Sequence, residues 1–233
     1  MVNSMSIAHK RLLTLLAQQS FRLGEFKLSS GGTSDYYIDC RTTTLDAEGA
    51  LRTGQVFLDE INRRQWHPQA IGGLTMGADP IVVSVSLISA QRCLAARAPA
   101  AGSEALPDQA PDAPAPQELI HGFLVRKSEK THGTGQRVEG FREKGARVVI
   151  VDDVCTTGAS TVQAIEAARE FGFEIVGVMC LVERGVENLA EGEVSPGRRA
   201  IEQAAAGVPF VAIYTSAEVR QEHLRHLGKT MEA

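Results

Sequence analysis

The sequence predicts an α/β domain with a mostly parallel central sheet flanked by helices, and three observations carry that prediction. Short apolar runs at Ala70 to Leu74, Val148 to Val151 and Ile175 to Leu181 are hydrophobic on both faces, as strands covered by helices on both sides require. Segments with helical spacing stand between strands, the order expected when crossover helices join parallel strands. A length of 233 residues, 43% hydrophobic and 22% charged, fits a single globular domain over 1–233 with a substantial core.

The elements follow in order. Ile7, Leu12, Leu13, Leu15 and Leu16 give an amphipathic helix that ends before Phe21 to Gly24. In GEFKLSSGGTSDYYIDCR, Gly24 to Arg41, Ser and Gly turns separate two β-like pieces around Phe26 to Leu28 and Tyr36 to Asp39, a hairpin presenting polar groups. Helix and hairpin together form an N-terminal unit over 1–45. Asp46 to Arg64 is helical, and Ala70 to Leu74 leads into the turn TMGADP, where Pro80 can start the next helix. After the apolar, Ala/Ser-rich Pro80 to Arg97, composition shifts to APAAGSEALPDQAPDAPAPQ, Ala98 to Gln117, which predicts a disordered surface insertion.

Leu119 to Val125 restores a strand, and RKSEKTHGTGQRVEG, Arg126 to Gly140, reads as a mobile loop long enough to suspect function. The strand Val148 to Val151 ends at Asp152 and Asp153. Helical spacing then resumes at Val162, Ile165, Ala168 and Phe171 and closes at Gly172, placed as a C-terminal glycine. Ile175 to Leu181 is a further buried strand and Val208 to Tyr214 an edge strand; no internal repeat is visible.

Several classes of function are disfavoured. A net charge of -4 argues against sequence-independent nucleic-acid binding, which draws on a basic surface. Cys40, Cys93, Cys155 and Cys180 form no CxxC pair, so reduced thiols in a cytoplasmic protein are expected. Neither a signal peptide nor a segment approaching the roughly 20 apolar residues of a membrane span is expected. The GKT at Gly228 to Thr230 lacks the first glycine of a P-loop, and the GxG at Gly133 to Gly135 lacks a preceding strand.

The chemistry concentrates in VVIVDDVCTTGAST, Val148 to Thr161. Ligands of open α/β sheets bind beyond the carboxyl ends of the strands, and this turn also opens a helix, whose free N–H groups and dipole favour an anion. Thr156, Thr157, Ser160 and Thr161 add hydroxyl donors. Carboxylates beside a phosphate repel it unless they face another part of the ligand. Vicinal sugar hydroxyls are the natural partners of Asp152 and Asp153, which can also steady a magnesium ion through waters. A strand, an acidic N-cap and an ordinary helix would produce part of the same pattern. The full string resembles the signature of type I phosphoribosyltransferases for 5-phosphoribosyl diphosphate (PRPP). The resemblance implies that family's fold with a small N-terminal hood, magnesium as cofactor, and PRPP binding by Asp152, Asp153, Val154, Cys155, Thr156, Thr157, Gly158, Ala159 and Ser160.

A second region bears on the base. Arg126, Lys127, Lys130, His132 and Arg137 form a basic, glycine-bearing loop in an acidic chain. Displacing pyrophosphate needs cations where charge builds on the leaving oxygens. With its RK, K and HG spacing, this loop resembles the catalytic loop of orotate phosphoribosyltransferases. The resemblance implies catalytic roles for Arg126, Lys127, Lys130 and His132, and a homodimer in which loop 126–137 reaches the neighbouring active site. It also implies the reaction of orotate with PRPP, giving orotidine 5'-phosphate and pyrophosphate in pyrimidine synthesis, with Tyr36, Tyr37, Thr156 and Arg184 contacting orotate. Ser29 and Gly77 depart from the lysines that many bacterial relatives carry. Transfer to another base, or a non-catalytic PRPP-binding regulator, are the alternatives; the basic loop and Arg184 speak against another base. Neither the general acid or base nor the role of the insertion is fixed by these patterns.

Overall fold

A computed structural model describes residues 6–27, 33–97, 119–127, 137–186, 189–190 and 192–231. The insertion at 98–117 and most of the basic loop lie outside these residues. Ser6 accepts a hydrogen bond from the His9 N–H and caps Ile7–Leu15 (α1), which continues through a π-helical turn at Leu16–Ser20. The chain then passes directly into Phe21–Lys27 (β1), paired antiparallel with Thr33–Ile38 (β2). The strand therefore begins earlier than the sequence suggests, because Phe21 is buried with its ring stacked on Tyr36 at 5.3 Å.

A short helix Arg41–Thr44 (α2) precedes Ala47–Arg63 (α3), whose start is fixed by the Asp46 carboxylate accepting from Glu48 and Gly49 N–H groups. Ala70–Leu74 (β3) coincides with its sequence expectation. Ala78–Arg97 (α4) starts two residues before Pro80, which is tolerated in a first turn whose N–H groups have no helical acceptor. Within α4 the stretch Ala78–Ala96 is long and apolar enough to cross a membrane by length and composition, contrary to expectation. One face of it joins the core: Ile81 and Val85 are fully buried, and α4 packs against α3 and β3.

His121–Val125 (β4) is followed, after the basic segment, by Val138–Gly140 (β5), which pairs antiparallel with β4. The last residues of the supposed loop are thus a strand, tied down because Val138 is buried and the Phe141 N–H reaches the Gly122 carbonyl. Arg147–Cys155 (β6), Ala159–Phe171 (α5), Glu174–Glu183 (β7), Pro196–Ala205 (α6), Phe210–Thr215 (β8) and Ser216–Met231 (α7) complete the chain. The helix α7 runs through the GKT tripeptide.

The main sheet has the order β5-β4-β3-β6-β7-β8, parallel throughout except for the β4–β5 pair. Central β6 sends Val149 and Val151 into a core shared with α1, α3, α4 and α7, and Val148 and Ile150 into a second core with α5 and α6. All four are fully buried, each contributing about 1.5–3 kcal/mol relative to exposure. One difference from the sequence reading matters for function. Parallel pairing with β7 continues from Asp152 opposite Cys180 to Cys155 opposite Glu183, so the acid pair stands inside the strand and is held by it.

Candidate active site

The carboxylates of Asp152 and Asp153 are fixed by their immediate surroundings. Asp152 is 5% exposed; its Oδ1 accepts from the Asp153 N–H at 3.0 Å and its Oδ2 from the Thr161 hydroxyl at 2.8 Å. Asp153 Oδ1 accepts from the Val154 N–H at 2.9 Å. Neither forms an ion pair among the described residues. Burial, followed by the charge of Asp153, pushes the Asp152 carboxyl up to about 7, and burial raises Asp153 as well. A buried and a half-buried acid that repel each other, without an ion pair among the described residues, are arranged to receive hydrogen-bond donors from elsewhere.

Past the acids the chain turns at Gly158, in the left-handed conformation at φ 75°, into α5; this N-cap glycine brings no side chain, and the Thr157 hydroxyl accepts from the Ala159 N–H at 3.4 Å. Thr156, Thr157, Ala159 and Ser160 are exposed around this turn, Val154 is half-buried and Cys155 is in the core. The N–H groups of the first turn, the hydroxyls and the positive end of the dipole together form an anion cradle. Thr161 is a correction: it is buried, and its hydroxyl orients Asp152 instead of facing the cradle.

The cradle is propped from behind by α6, which the sequence reading passed over. Glu183, 2% exposed at the end of β7, accepts from the Ser195 hydroxyl at 2.7 Å and from Arg198 Nε and Nη2 at 3.1 and 2.5 Å. Arg198 lies over the Phe210 ring, 4.7 Å from its centroid. This pairing seats Gly197 so closely that a Cβ there would stand 2.6 Å from the Thr156 carbonyl oxygen. The Ser195–Pro196 start of α6 was a readable signal, a capping hydroxyl followed by proline at the first turn.

On the other side of β7, Arg184 reaches the hairpin. Its Nε donates to the Tyr36 hydroxyl and its Nη2 to the Ser34 hydroxyl, both at 3.3 Å, and its guanidinium sits 4.6 Å from the Tyr36 ring centroid. Tyr36 is buried, whereas Tyr37 is 42% exposed and lines a cleft of about 560 Å³. Arg41, Gly77, Arg126, Lys127, Asp152, Asp153 and Ser160 line that cleft too, so the acid pair, one edge of the cradle and the start of the basic segment converge. Arg126 also pairs with Glu139 of β5 at 3.1 Å. Lys130 and His132 lie outside the described residues. Arg41 escaped the sequence reading; its only signal was a cation directly after the hairpin.

Comparison with known proteins agrees with this geometry. The phosphoribosyl transferase domain family matches residues 119–194. An orotate phosphoribosyltransferase of Aquifex aeolicus is 33% identical over 91% of this chain and 98% of its own length. Another, from Streptomyces coelicolor, is 36% identical over 89% and 94%. The crystal structure of Mycobacterium tuberculosis orotate phosphoribosyltransferase in complex with PRPP superimposes with a TM-score of 0.63 at 26% identity, covering 91% of this chain and 98% of that one.

Proposed function

The chain belongs to the orotate phosphoribosyltransferase family, and from that premise we propose how its residues divide the work. It is a pentosyltransferase that moves ribose 5-phosphate from PRPP to orotate, giving orotidine 5'-phosphate and pyrophosphate in pyrimidine synthesis. The observation that carries the assignment of roles is an acid pair, without an ion pair among the described residues, beside a helix N-terminus whose N-cap glycine brings no side chain.

Asp152 and Asp153 accept hydrogen bonds from the ribose diol, and the turn from Val154 through Ser160, with Cys155 and Gly158 shaping its backbone, holds the 5-phosphate. Thr156 also touches orotate. Arg184 forks onto the orotate carboxylate, Tyr37 offers its ring from the cleft wall, and Tyr36 supports Arg184 from behind. As the bond from the anomeric carbon to the diphosphate loosens, Lys130, Arg126 and Lys127 meet charge on the leaving oxygens, with His132 as a candidate proton donor.

Magnesium fits as a companion of the substrate. The described residues hold no group of three or more His, Cys, Asp or Glu placed for a metal, while the acid pair offers hard oxygens to its waters. When bound, it neutralises diphosphate charge.

The enzyme acts as a homodimer in which loop 126–137 reaches the neighbouring site from a base, Arg126 and Lys127, that lines its own chain's cleft. Val83, Leu87 and Leu94 form an exposed apolar stripe on α4 that a second copy would cover. Four free, buried cysteines fit a reducing, cytoplasmic setting.

Loss of orotate absorbance on adding PRPP and magnesium tests the reaction directly. Lys130→Ala is expected to lower turnover about 100-fold or more while orotate binding is retained. Undiminished turnover in that variant would remove Lys130 from the mechanism.

A further inference from the structure

The diphosphate of PRPP must be met by positive charge, yet the cleft that receives it is lined by Asp39, Asp152 and Asp153. Arg41, Arg126 and Lys127 are the cations among its described lining residues, and Arg126 is already paired with Glu139. Arg41 is held differently. Its Nε and Nη2 donate to the two oxygens of Asp39, each at 2.8 Å, and its backbone N–H donates to the same carboxylate at 3.1 Å. A guanidinium has five N–H donors, so three remain for a ligand, and the side chain is 42% exposed. The Asp39 fork fixes this long side chain before any ligand arrives, which lowers the entropy lost on binding.

Position along the sheet says which part of the ligand Arg41 meets. The 5-phosphate cradle lies between β6 and α5, and Arg184 with the hairpin lies beyond β7. Arg41 lines the same cleft as Thr75 to Gly77 after β3 and as Arg126 and Lys127 after β4, and those two strands stand on the opposite side of β6 from β7. A sugar held by its diol at Asp152 and Asp153 directs its departing substituent there. Gly77 makes room: a Cβ at this position would lie 2.3 Å from Asp153 Oδ1 as that carboxylate stands, and Thr75, Met76, Gly77 and Ala78 of this turn bring no positive charge of their own.

We propose that Arg41, oriented by Asp39, binds the diphosphate of PRPP from within its own subunit and takes over the place that Gly77 leaves empty. The inference rests on the reaction assigned above. A purely local role, pinning the start of α2, would leave Arg41 without a ligand.

Calorimetry on the full-length protein, with pyrophosphate plus magnesium and separately with ribose 5-phosphate, distinguishes the two. In Arg41→Ala, pyrophosphate is expected to bind about 10- to 100-fold more weakly and ribose 5-phosphate within about twofold of the unaltered chain. The Michaelis constant for PRPP rises in parallel, that for orotate stays, and Arg41→Lys recovers part of the loss. Unchanged pyrophosphate binding overturns the proposal. Equal weakening of both ligands, or loss of folding in both Arg41→Ala and Arg41→Lys, assigns the residue to the fold and overturns it as well. Orotate turnover by the unaltered chain, measured alongside, shows whether a failure belongs to Arg41 or to the reaction.

Discussion

Neighbouring strands end in acids that are satisfied differently, with Glu183 and Asp152 buried and Asp153 half-buried. On β7, Glu183 is surrounded by its own partners, the Ser195 hydroxyl and a two-pronged Arg198, so its charge is consumed inside the protein. On β6, Asp152 and Asp153 receive two backbone N–H groups and one hydroxyl but form no ion pair among the described residues; burial raises both carboxyls, and the nearby Arg41 charge offsets part of that at Asp153. Buried charge is costly when uncompensated, so a fold that can supply an arginine at one strand end and omits it at the next has kept the second free for a ligand. The structural acid anchors α6, α6 props the cradle, and the acid pair stands in front of it, where we propose that it holds the sugar.

The comparison can be broken at its structural half with the largest effect. Arg198→Ala leaves Glu183 buried without its cation and should destabilise the protein by about 3–5 kcal/mol, lowering Tm by roughly 6–20 °C. Adding Glu183→Gln in the same chain should restore a good part of that loss. A Tm unchanged by Arg198→Ala would mean that the pair does not anchor α6.

The functional half should respond in the opposite sense. Asp152→Asn is expected to lower kcat/KM for PRPP about 100-fold, since a neutral amide is a poorer acceptor for the diol. The folded chain holds the Asp152 proton up to about pH 7, and the unfolded chain only to about pH 4. Between those values the native state binds more protons, so the acid pair lowers stability progressively as pH rises. Asp152→Asn should therefore stabilise the unliganded protein by about 1–3 kcal/mol at pH 8 and by almost nothing near pH 4, as read by denaturant titration. Destabilisation at pH 8 would place Asp152 with Glu183 as a structural acid.

The connection between the two halves gives the smallest effect. Gly197→Ala pushes a methyl group against the Thr156 carbonyl and should raise the Michaelis constant for PRPP about tenfold, leaving that for orotate unchanged. A rise in both constants together would indicate a general loosening instead of a cradle displaced from behind.

How much of this was readable from the sequence depended on the range of the interaction. The parallel sheet announced itself because β3, β6 and β7 are apolar on both faces, and the cradle because a two-acid turn runs into a helix closed by Gly172. Strand ends were less legible. Asp152 and Asp153 look like loop residues by composition, and only pairing with β7 keeps them in the strand. Val138 to Gly140 became a strand through its pairing with β4, which polar neighbours concealed. Tyr36 and Tyr37 are equivalent in sequence, yet strand alternation buries one behind Arg184 and turns the other into the cleft. Contacts across 12 to 15 positions, such as Ser195 and Arg198 on Glu183, and the far longer-range approach of Gly77 to Asp153, leave no local trace at all.

The central claim is that the acid pair is held ready for the sugar diol. Its most direct test is calorimetric binding of ribose 5-phosphate between pH 5.5 and 8.5, in the unaltered chain and in Asp152→Asn. The account predicts that affinity in the unaltered chain, measured relative to the variant, rises as pH passes through about 7 and the carboxyl ionises. An affinity ratio that stays flat across that range, or equal binding by the two proteins, would contradict it.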